Sequence, residues 1–138
     1  MYNCSLRGHH LICLHFFSGE GYNAAFVENL RNVIAAAEEG LVQVHNGADT
    51  ICKKCPSLQS NKCMHSAQAE ADVLVLDRLA LRLLGLSSGQ LASWRDIRNA
   101  LPLIFSEWYE SSCNGCGWKW ACEKKTLYRE LIKSLLIE

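Results

Sequence analysis

The sequence lacks an excess of either charge. Its 138 residues include 14 lysines and arginines and 14 aspartates and glutamates, so the formal net charge is zero with neutral histidines. Proteins that bind nucleic acid or an anionic membrane through their overall field carry a clear positive excess. We therefore expect neither nucleic acid nor a membrane among the partners of this chain.

Long apolar segments are also missing. No window approaches the roughly 20 apolar residues that a helix needs to cross a bilayer. Residues 1–17 contain Arg7, His9, His10 and His15 and do not have the apolar run of a signal peptide. These features favour the cytoplasm, where thiols stay reduced and CxxC pairs indicate metal or redox sites. A disulfide protein is the alternative.

Cysteine is what the sequence has in abundance, with eight in total. Six of them form two triads, each of which opens with a CxxC pair: Cys52, Cys55 and Cys63, then Cys113, Cys116 and Cys122. The short turn of a CxxC pair lets both sulfurs reach one metal. A chain of this length buries roughly 68% of its unfolded surface and can fold without metal staples, so the triads suggest chemistry rather than support.

The spacing of the triads favours iron-sulfur over zinc. Paired zinc knuckles show CxxC twice, whereas each triad here has a longer third step. The pattern CxxCxxxxxC at residues 113–122 is similar to segments that hold auxiliary 4Fe-4S clusters in radical-enzyme maturases. The CxxxCxxC signature of the radical centre itself is absent. We expect a 4Fe-4S cluster, with one cluster favoured over two and zinc as the alternative cofactor.

The choice of ligands stays open at this point. One cluster needs four of the six thiols, while two clusters need a fourth ligand for each triad. Cys13 and Cys4 are candidates for that position, although Cys4 is expected in a frayed terminus, and His9 or His10 could substitute. Cys63 and Cys122 are predicted just ahead of helices, where the helix dipole lowers a thiol's pKa.

The surroundings of the triads agree with a charged inorganic centre. Six of the seven lysines lie within a few residues of a triad cysteine, where they would offset negative charge or serve only as solvated loop residues. Trp118 and Trp120 interleave with the second triad. Their rings could shield a cluster from water, or they could simply anchor the loop on the core.

Residues 5–17 predict a helix that carries His9 and Cys13 on one face, one turn apart. Such a pair could serve the metal, or it could form a reactive thiolate with His9 or His10 as base in a Cys/His-dependent enzyme. A buried histidine and a small core cysteine is the structural alternative. No catalytic residue beyond this pair is indicated.

The periodicity of the chain predicts a mainly α fold, a single compact domain over residues 1–138 with five or six helices. Helices are expected at 23–39, with Gly40 as a left-handed cap, at 66–84, from Ser93 to a break or kink at Pro102, at 103–109 and at 123–136. Residues 41–44 and 50–51 predict a short two-stranded β element. Two cysteine-rich ligand loops complete this picture.

The chain resembles a family of small bacterial and archaeal proteins described as domain of unknown function 1284. The resemblance rests on four segments: Arg7-Gly8-His9-His10-Leu11-Ile12-Cys13-Leu14, Gly19 with 21–27, Asp49 with 51–52 and 55–56, and 113–122. Members are often labelled iron-sulfur binding, which implies a cluster and no reaction. The expected function is electron transfer or a redox-accessory role with an unknown redox partner. A zinc-stabilised interaction module is the alternative.

Overall fold

The computed structural model describes residues 4–20, 23–46, 49, 58–59, 62–63, 69–113, 116 and 119–137, with backbone only at 58–59, 62–63, 69–70 and 136–137. The elements in chain order are β1 (Cys4–Arg7), α1 (Gly8–Cys13), a 3-10 turn (Leu14–Phe16), α2 (Ala24–Glu38), β2 (Leu41–His45), β3 (Leu58–Gln59), β4 (Lys62–Cys63), α3 (Ala69–Leu84), β5 (Leu91–Ser93), α4 (Trp94–Trp108), a π-helical turn (Tyr109–Cys113), α5 (Lys119–Cys122) and α6 (Thr126–Ile137). Six α-helices dominate these ranges, so the mainly α prediction is confirmed.

A three-stranded sheet in the order β1-β2-β5 organises one side of the molecule. β1 runs parallel to β2 with Cys4 opposite Val42, and β5 runs antiparallel to β2 with Ala92 opposite the same residue. The crossover between β1 and β2 contains α2, as a parallel pair requires. The predicted pairing of 41–44 with 50–51 is not the one that β2 makes within the described ranges, and 50–51 lie outside them.

The opening segment is not one helix. In β1, buried Cys4 and Leu6 flank a partly exposed Ser5, and this alternation is the strand period. The chain passes from β1 directly into α1 without a connecting loop, so the register of the strand sets where the helix begins. The prediction of a helix over 5–17 is therefore wrong for residues 5–7 and correct for residues 8–13.

Helices α2, α3 and α4 agree with prediction, with two corrections. The Asn23 side chain accepts a hydrogen bond from Phe26 N at 2.8 Å and caps α2, and Ser93 caps α4 by accepting from Asp96 N. Gly85 has a φ of 70° and ends α3, but Gly40 is not among the described glycines with positive φ. α4 continues through Pro102, so the predicted break does not occur.

Two hydrophobic clusters fill the interior. The first packs the sheet against α2 and the start of α4, around Leu6, Val42 and Trp94. The second packs the end of α1 against α3, α4 and α6, around Ile12, Trp108 and Tyr128. α1 thus spans the two clusters, and its residues reach polar partners at one end and thiols at the other.

Two further observations concern the outer parts of the chain. β3 and β4 pair in antiparallel fashion with Leu58 opposite Cys63, within the first of the two segments predicted as cysteine-rich ligand loops. No helix among the described residues has the length and apolarity to cross a membrane.

Candidate functional site

Gly8 lets α1 approach α3 more closely than any other residue would allow. A Cβ atom at this position would lie 2.3 Å from the backbone carbonyl oxygen of Asp77 in α3. Real atoms do not come this close, so a side chain at position 8 would force the two helices apart. The contact places the first turn of α1 directly on the Asp77 side chain.

Asp77 is a buried carboxylate with three partners from the opening segment. Its Oδ2 accepts from Arg7 Nε at 2.8 Å, and its Oδ1 accepts from His9 N at 3.0 Å and lies 2.7 Å from His9 Nδ1. Arg7 is fully buried, so the carboxylate neutralises a guanidinium that water cannot reach. Burial raises the pKa of Asp77, but the bonds from His9 and Arg7 outweigh it and hold the pKa below its usual value.

Asp49 makes a second pair of the same kind beside the first. Its Oδ2 lies 2.6 Å from His10 Nδ1 and accepts from Arg7 N at 2.7 Å. The rings of His9 and His10 are in contact, with centroids 4.2 Å apart and planes tilted by 49°. Two imidazoles, each oriented by its own carboxylate, therefore stand side by side on the first turn of α1.

The protonation of His9 follows from its surroundings. Burial, and after it the neighbouring His10, lowers the pKa of His9 to about 4 despite the bond to Asp77. His9 is therefore neutral at physiological pH, and the ionised Asp77 requires the ring proton to sit on Nδ1. This tautomer leaves the lone pair of Nε2 available as a ligand or base.

Three thiols from three parts of the fold belong to the second hydrophobic cluster at the other end of α1, and Cys116 adjoins them through the backbone of Cys113. Cys13 is the last residue of α1, Cys113 ends the π-helical turn after α4, and Cys122 ends α5. Cys116 N donates to Cys113 O at 3.0 Å, which closes the tight CxxC turn that the spacing predicts. Ser18 Oγ donates to Ala121 O at 2.7 Å and ties α5 to the segment that follows Cys13.

These thiols influence one another electrostatically. Burial, followed by the charges of Cys113, Cys122 and Cys116, raises the pKa of Cys13 well above its ordinary value. Burial also raises the pKa of Cys113 to about 12 and that of Cys122 to about 11, with the other thiols adding to the shift. The four sulfurs thus share one low-dielectric environment in which several thiolates need a compensating positive charge.

Two buried donors stand beside this thiol group. Trp108 Nε1 and Tyr128 Oη are buried, and neither has a hydrogen-bond partner within the described part of the chain. The Trp108 indole favours the thiolate of Cys13, and the Tyr128 hydroxyl favours that of Cys113. Each donor is therefore within reach of a sulfur that would accept from it more strongly when charged.

The charged and aromatic residues around the thiols differ in part from those expected. Lys119 favours the thiolate of Cys113 and packs its Nζ 5.0 Å from the centre of the Tyr109 ring. Trp120 is 49% exposed on α5 and carries Lys124 over its ring, and its shielding of the thiols stays a prediction. Trp118 lies outside the described residues, and fully buried Trp108 stands next to Cys13 instead.

The structure brings together one predicted triad and adds a thiol that the sequence named only as a candidate. Cys113, Cys116 and Cys122 lie with Cys13. Cys122 ends α5 instead of preceding a helix, so the predicted lowering of its pKa by the helix dipole is wrong. The side chains of Cys52, Cys55 and Cys63 lie outside the described residues, although the backbone of Cys63 belongs to β4.

Cys4 stands apart from this group. It lies in β1, paired with β2 and 7% exposed, so the expectation of a frayed terminus is wrong. Burial raises its pKa to about 11, and the charge of Asp49 adds to the shift. Cys4 is thus a core thiol of the first hydrophobic cluster.

No three His, Cys, Asp or Glu side chains among those described form a group that could hold a single metal ion. An iron-sulfur cluster of the 4Fe-4S type makes a different demand, since it takes four thiolates around a larger core and accepts hydrogen bonds at sulfur. At this site the described residues supply four thiols, Cys13, Cys113, Cys116 and Cys122. They also supply two buried donors that have no hydrogen-bond partner among the described residues. In donor chemistry, these residues fit such a cluster.

Several residues of the site escaped sequence reasoning. Asp77 is a charged residue among the apolar positions of α3, a signal that could have marked it as a buried partner. Trp108 and Tyr128 follow ordinary apolar periodicity, and nothing in the sequence separates them from core residues. His9 and His10 pair with carboxylates, and the Cys13 contact that a Cys/His nucleophile requires is not among the described contacts.

Comparison with known proteins gives one match. No curated protein matches the chain, and no solved structure does. A family model described as protein of unknown function, DUF1284, matches residues 21–122, which include both cysteine triads. The match begins after the opening motif, so Arg7 to Leu14 and Cys13 lie outside it. Because it covers most of the length, this chain belongs to the DUF1284 family.

Proposed function

We propose that this protein holds one 4Fe-4S cluster through Cys13, Cys113, Cys116 and Cys122 and acts in electron transfer or as a redox-accessory protein. The observation that carries the proposal is the convergence of four thiols beside two buried donors that have no hydrogen-bond partner among the described residues. Cys13 supplies the fourth ligand that the triad at 113–122 needs. The first triad is not required for this cluster.

Burial of the thiols supports a tightly held inorganic centre. In the absence of iron, burial and mutual repulsion keep the protons on Cys13, Cys113 and Cys122. Iron replaces those protons and provides the positive charge that several neighbouring thiolates need. The nearby Lys119 offsets part of the remaining negative charge.

The two donors support a redox role for the same centre. Hydrogen bonds to cluster sulfurs and restricted solvent access are the main ways in which a protein sets the reduction potential. Trp108 next to Cys13 and Tyr128 next to Cys113 offer one donor to each of two ligands. When bound, the cluster supplies one-electron transfer, and the protein supplies its burial and these bonds.

One edge of the thiol group faces solvent. Cys116 is exposed, and Trp120 is half exposed on the neighbouring α5, with Lys124 over its ring. Electrons leave a buried centre most readily where the intervening protein is thin. We expect a redox partner to dock at this edge, next to Lys119 and the Lys124–Glu20 ion pair.

Anaerobic purification followed by iron, acid-labile sulfide and zinc analysis tests the proposal. We expect iron and sulfide in equal amounts, an absorbance spectrum that bleaches on reduction, and loss of both components in Cys13→Ser and Cys113→Ser. Cys4→Ala is the matched control, because Cys4 is also buried but lies in the other hydrophobic cluster. It should keep the full iron content.

Zinc is the alternative that the same preparation detects. Four thiolates about 2.3 Å from one zinc lie within about 4 Å of each other, so zinc would need a tighter thiol group than a cluster does. Colourless protein with one zinc per chain and no sulfide would replace the cluster with a structural zinc site. Full iron in Cys13→Ser would remove Cys13 from the ligand set.

The first triad remains a prediction of its own. A variant with Cys52, Cys55 and Cys63 all changed to serine asks whether those thiols hold a second cluster. The proposal of one cluster expects unchanged iron content and an unchanged spectrum. A fall to half the iron per chain would establish two clusters.

A further inference from the structure

His9 and His10 show the arrangement that proteins use to prepare imidazoles for a metal. A metal-bound histidine generally donates its second ring N–H to a carboxylate, which fixes the tautomer and makes the free nitrogen more basic. Here Asp77 lies 2.7 Å from His9 Nδ1, and Asp49 lies 2.6 Å from His10 Nδ1. Both carboxylates are buried, so rotation of either ring would cost a buried carboxylate one of its hydrogen bonds.

The opposite nitrogen of each ring is available. Among the described residues, neither His9 Nε2 nor His10 Nε2 has a hydrogen-bond partner. The two side chains keep 18% and 14% of their exposure, so an ion from solvent can reach the rings. Ring centroids 4.2 Å apart suit a shared ion, because each metal–nitrogen bond is about 2.0–2.1 Å long.

The buried carboxylates also suit a metal site, because each stands behind one ring. Asp77 lies against His9 and Asp49 against His10, so each imidazole is fixed on the side away from its Nε2. An imidazole pair suits the divalent first-row metals such as zinc, cobalt and ferrous iron.

We propose that His9 and His10 bind a divalent transition-metal ion through their Nε2 atoms, with Asp77 and Asp49 as positioning residues, at a site separate from the four thiols. Two protein ligands leave the remaining coordination positions to water or to a small oxygen or nitrogen ligand. Its donors lie in the first turn of α1, whereas Cys13 is the last residue of that helix.

Zinc-edge X-ray absorption on the cluster-loaded chain titrated with zinc alone tests this proposal. We expect one zinc per chain with a nitrogen and oxygen shell at about 2.0–2.1 Å, distinct from the sulfur shell at about 2.3 Å that zinc at the thiols would give. A sulfur shell alone, or no bound zinc, overturns the proposal. Iron and sulfide content is measured on the same sample, so failure of the cluster is read separately.

Variants assign the zinc to the two rings. In equilibrium dialysis, His9→Gln and His10→Gln should each weaken zinc binding at least 10-fold, and Asp49→Asn should weaken it about 10-fold to 100-fold without removing a ligand. His45→Gln is the matched control, since His45 is an exposed histidine on β2. Unchanged affinity in both ring variants, or an equal loss in His45→Gln, contradicts the assignment. If a variant does not fold, the absorption measurement on the unmodified chain decides.

Discussion

The two ends of α1 differ in how their buried polar groups are paired. At the N-terminal end, Arg7, His9 and His10 enter the interior already paired with Asp77 and Asp49. At the C-terminal end, Cys13 lies near other thiols and near two donors that have no hydrogen-bond partner among the described residues. The first end pairs its charges within the polypeptide, whereas the thiols of the second end stay protonated and would need a positive centre nearby once they ionise.

Removal of Asp77 should have the largest effect on this comparison. Asp77→Ala removes a buried carboxylate that pairs with the fully buried Arg7 guanidinium, so we expect a loss of about 3–5 kcal/mol in the free energy of unfolding. Urea denaturation of the cluster-free protein measures it. Asp72→Ala, an exposed change on the same helix, should cost less than about 0.5 kcal/mol. Equal effects of the two changes would show that the Asp77 pair contributes no stability.

Gly8→Ala should disturb both ends at once. The added Cβ meets the Asp77 backbone, which cannot move aside as a side chain could, so we expect a loss of about 3 kcal/mol. Displacement of α1 should also carry Cys13 away from the other thiols and lower iron incorporation. Gly89→Ala is the control, because its left-handed φ of 86° adds strain of about 1 kcal/mol in open space. Normal iron content in Gly8→Ala would show that the contact of Gly8 with α3 does not determine the position of Cys13.

The stability of the cluster-free protein should depend on pH through His9 on the acidic side and through the thiols on the alkaline side. The pKa of His9 falls from its usual 6.5 to about 4, so below pH 6.5 the unfolded chain binds a proton that the folded chain refuses. Stability should therefore fall by about 2 kcal/mol as the pH decreases from 7 to 4. The raised pKa values of Cys113 and Cys122 act in the other direction, and stability should fall as the pH rises above 9.

Cluster loading distinguishes these two limbs. Iron removes the titrating protons from the ligand thiols, so the alkaline fall should become smaller in the loaded protein, where Cys4 keeps its raised pKa, while the acidic fall stays. Buried His15, whose pKa burial lowers to about 3, also contributes to the acidic limb. His15→Phe corrects for it, and a residual acidic limb in that variant belongs to His9. Thermal denaturation at fixed pH values measures each limb.

Tyr128→Phe should change stability least and function most selectively. Without iron, the change removes only a buried hydroxyl that has no hydrogen-bond partner among the described residues. We therefore expect the free energy of unfolding to change by less than about 1 kcal/mol. With the cluster bound, loss of the hydrogen bond to Cys113 should lower the reduction potential by about 40 mV, the one-electron equivalent of about 1 kcal/mol. Tyr109→Phe is the control, since its hydroxyl bonds Lys119. An unchanged potential in Tyr128→Phe contradicts the donor role.

The sequence predicts the helices better than the sites. Apolar spacing and the Asn23 and Ser93 caps are local signals, and the structure confirms α2 and α4 from them. The conversion of residues 4–7 into a strand depends on pairing with β2, more than thirty residues away, which no local pattern records. Pro102 fails as a helix breaker because the packing of Leu101 and Phe105 on one face holds α4 together around it.

The thiols show the same limit. The CxxC turn at Cys113 and Cys116 follows from its spacing, and the structure closes it as expected. The addition of Cys13 depends on how α1 packs, so the sequence could offer it only as one candidate among several. Likewise, the pairing of His9 with Asp77 spans 68 positions and is visible only in the folded chain.

The long separation of these partners has a consequence for synthesis. Residues 7–13 leave the ribosome early, but their partners are Asp77, 70 positions after Arg7, and the cysteines up to position 122. At about 5–20 residues per second, several seconds pass before the last of these residues is made. During that interval the opening motif has neither its carboxylate nor its companion sulfurs. In the proposed cluster, the four thiols can therefore hold iron together only after residue 122 has been made.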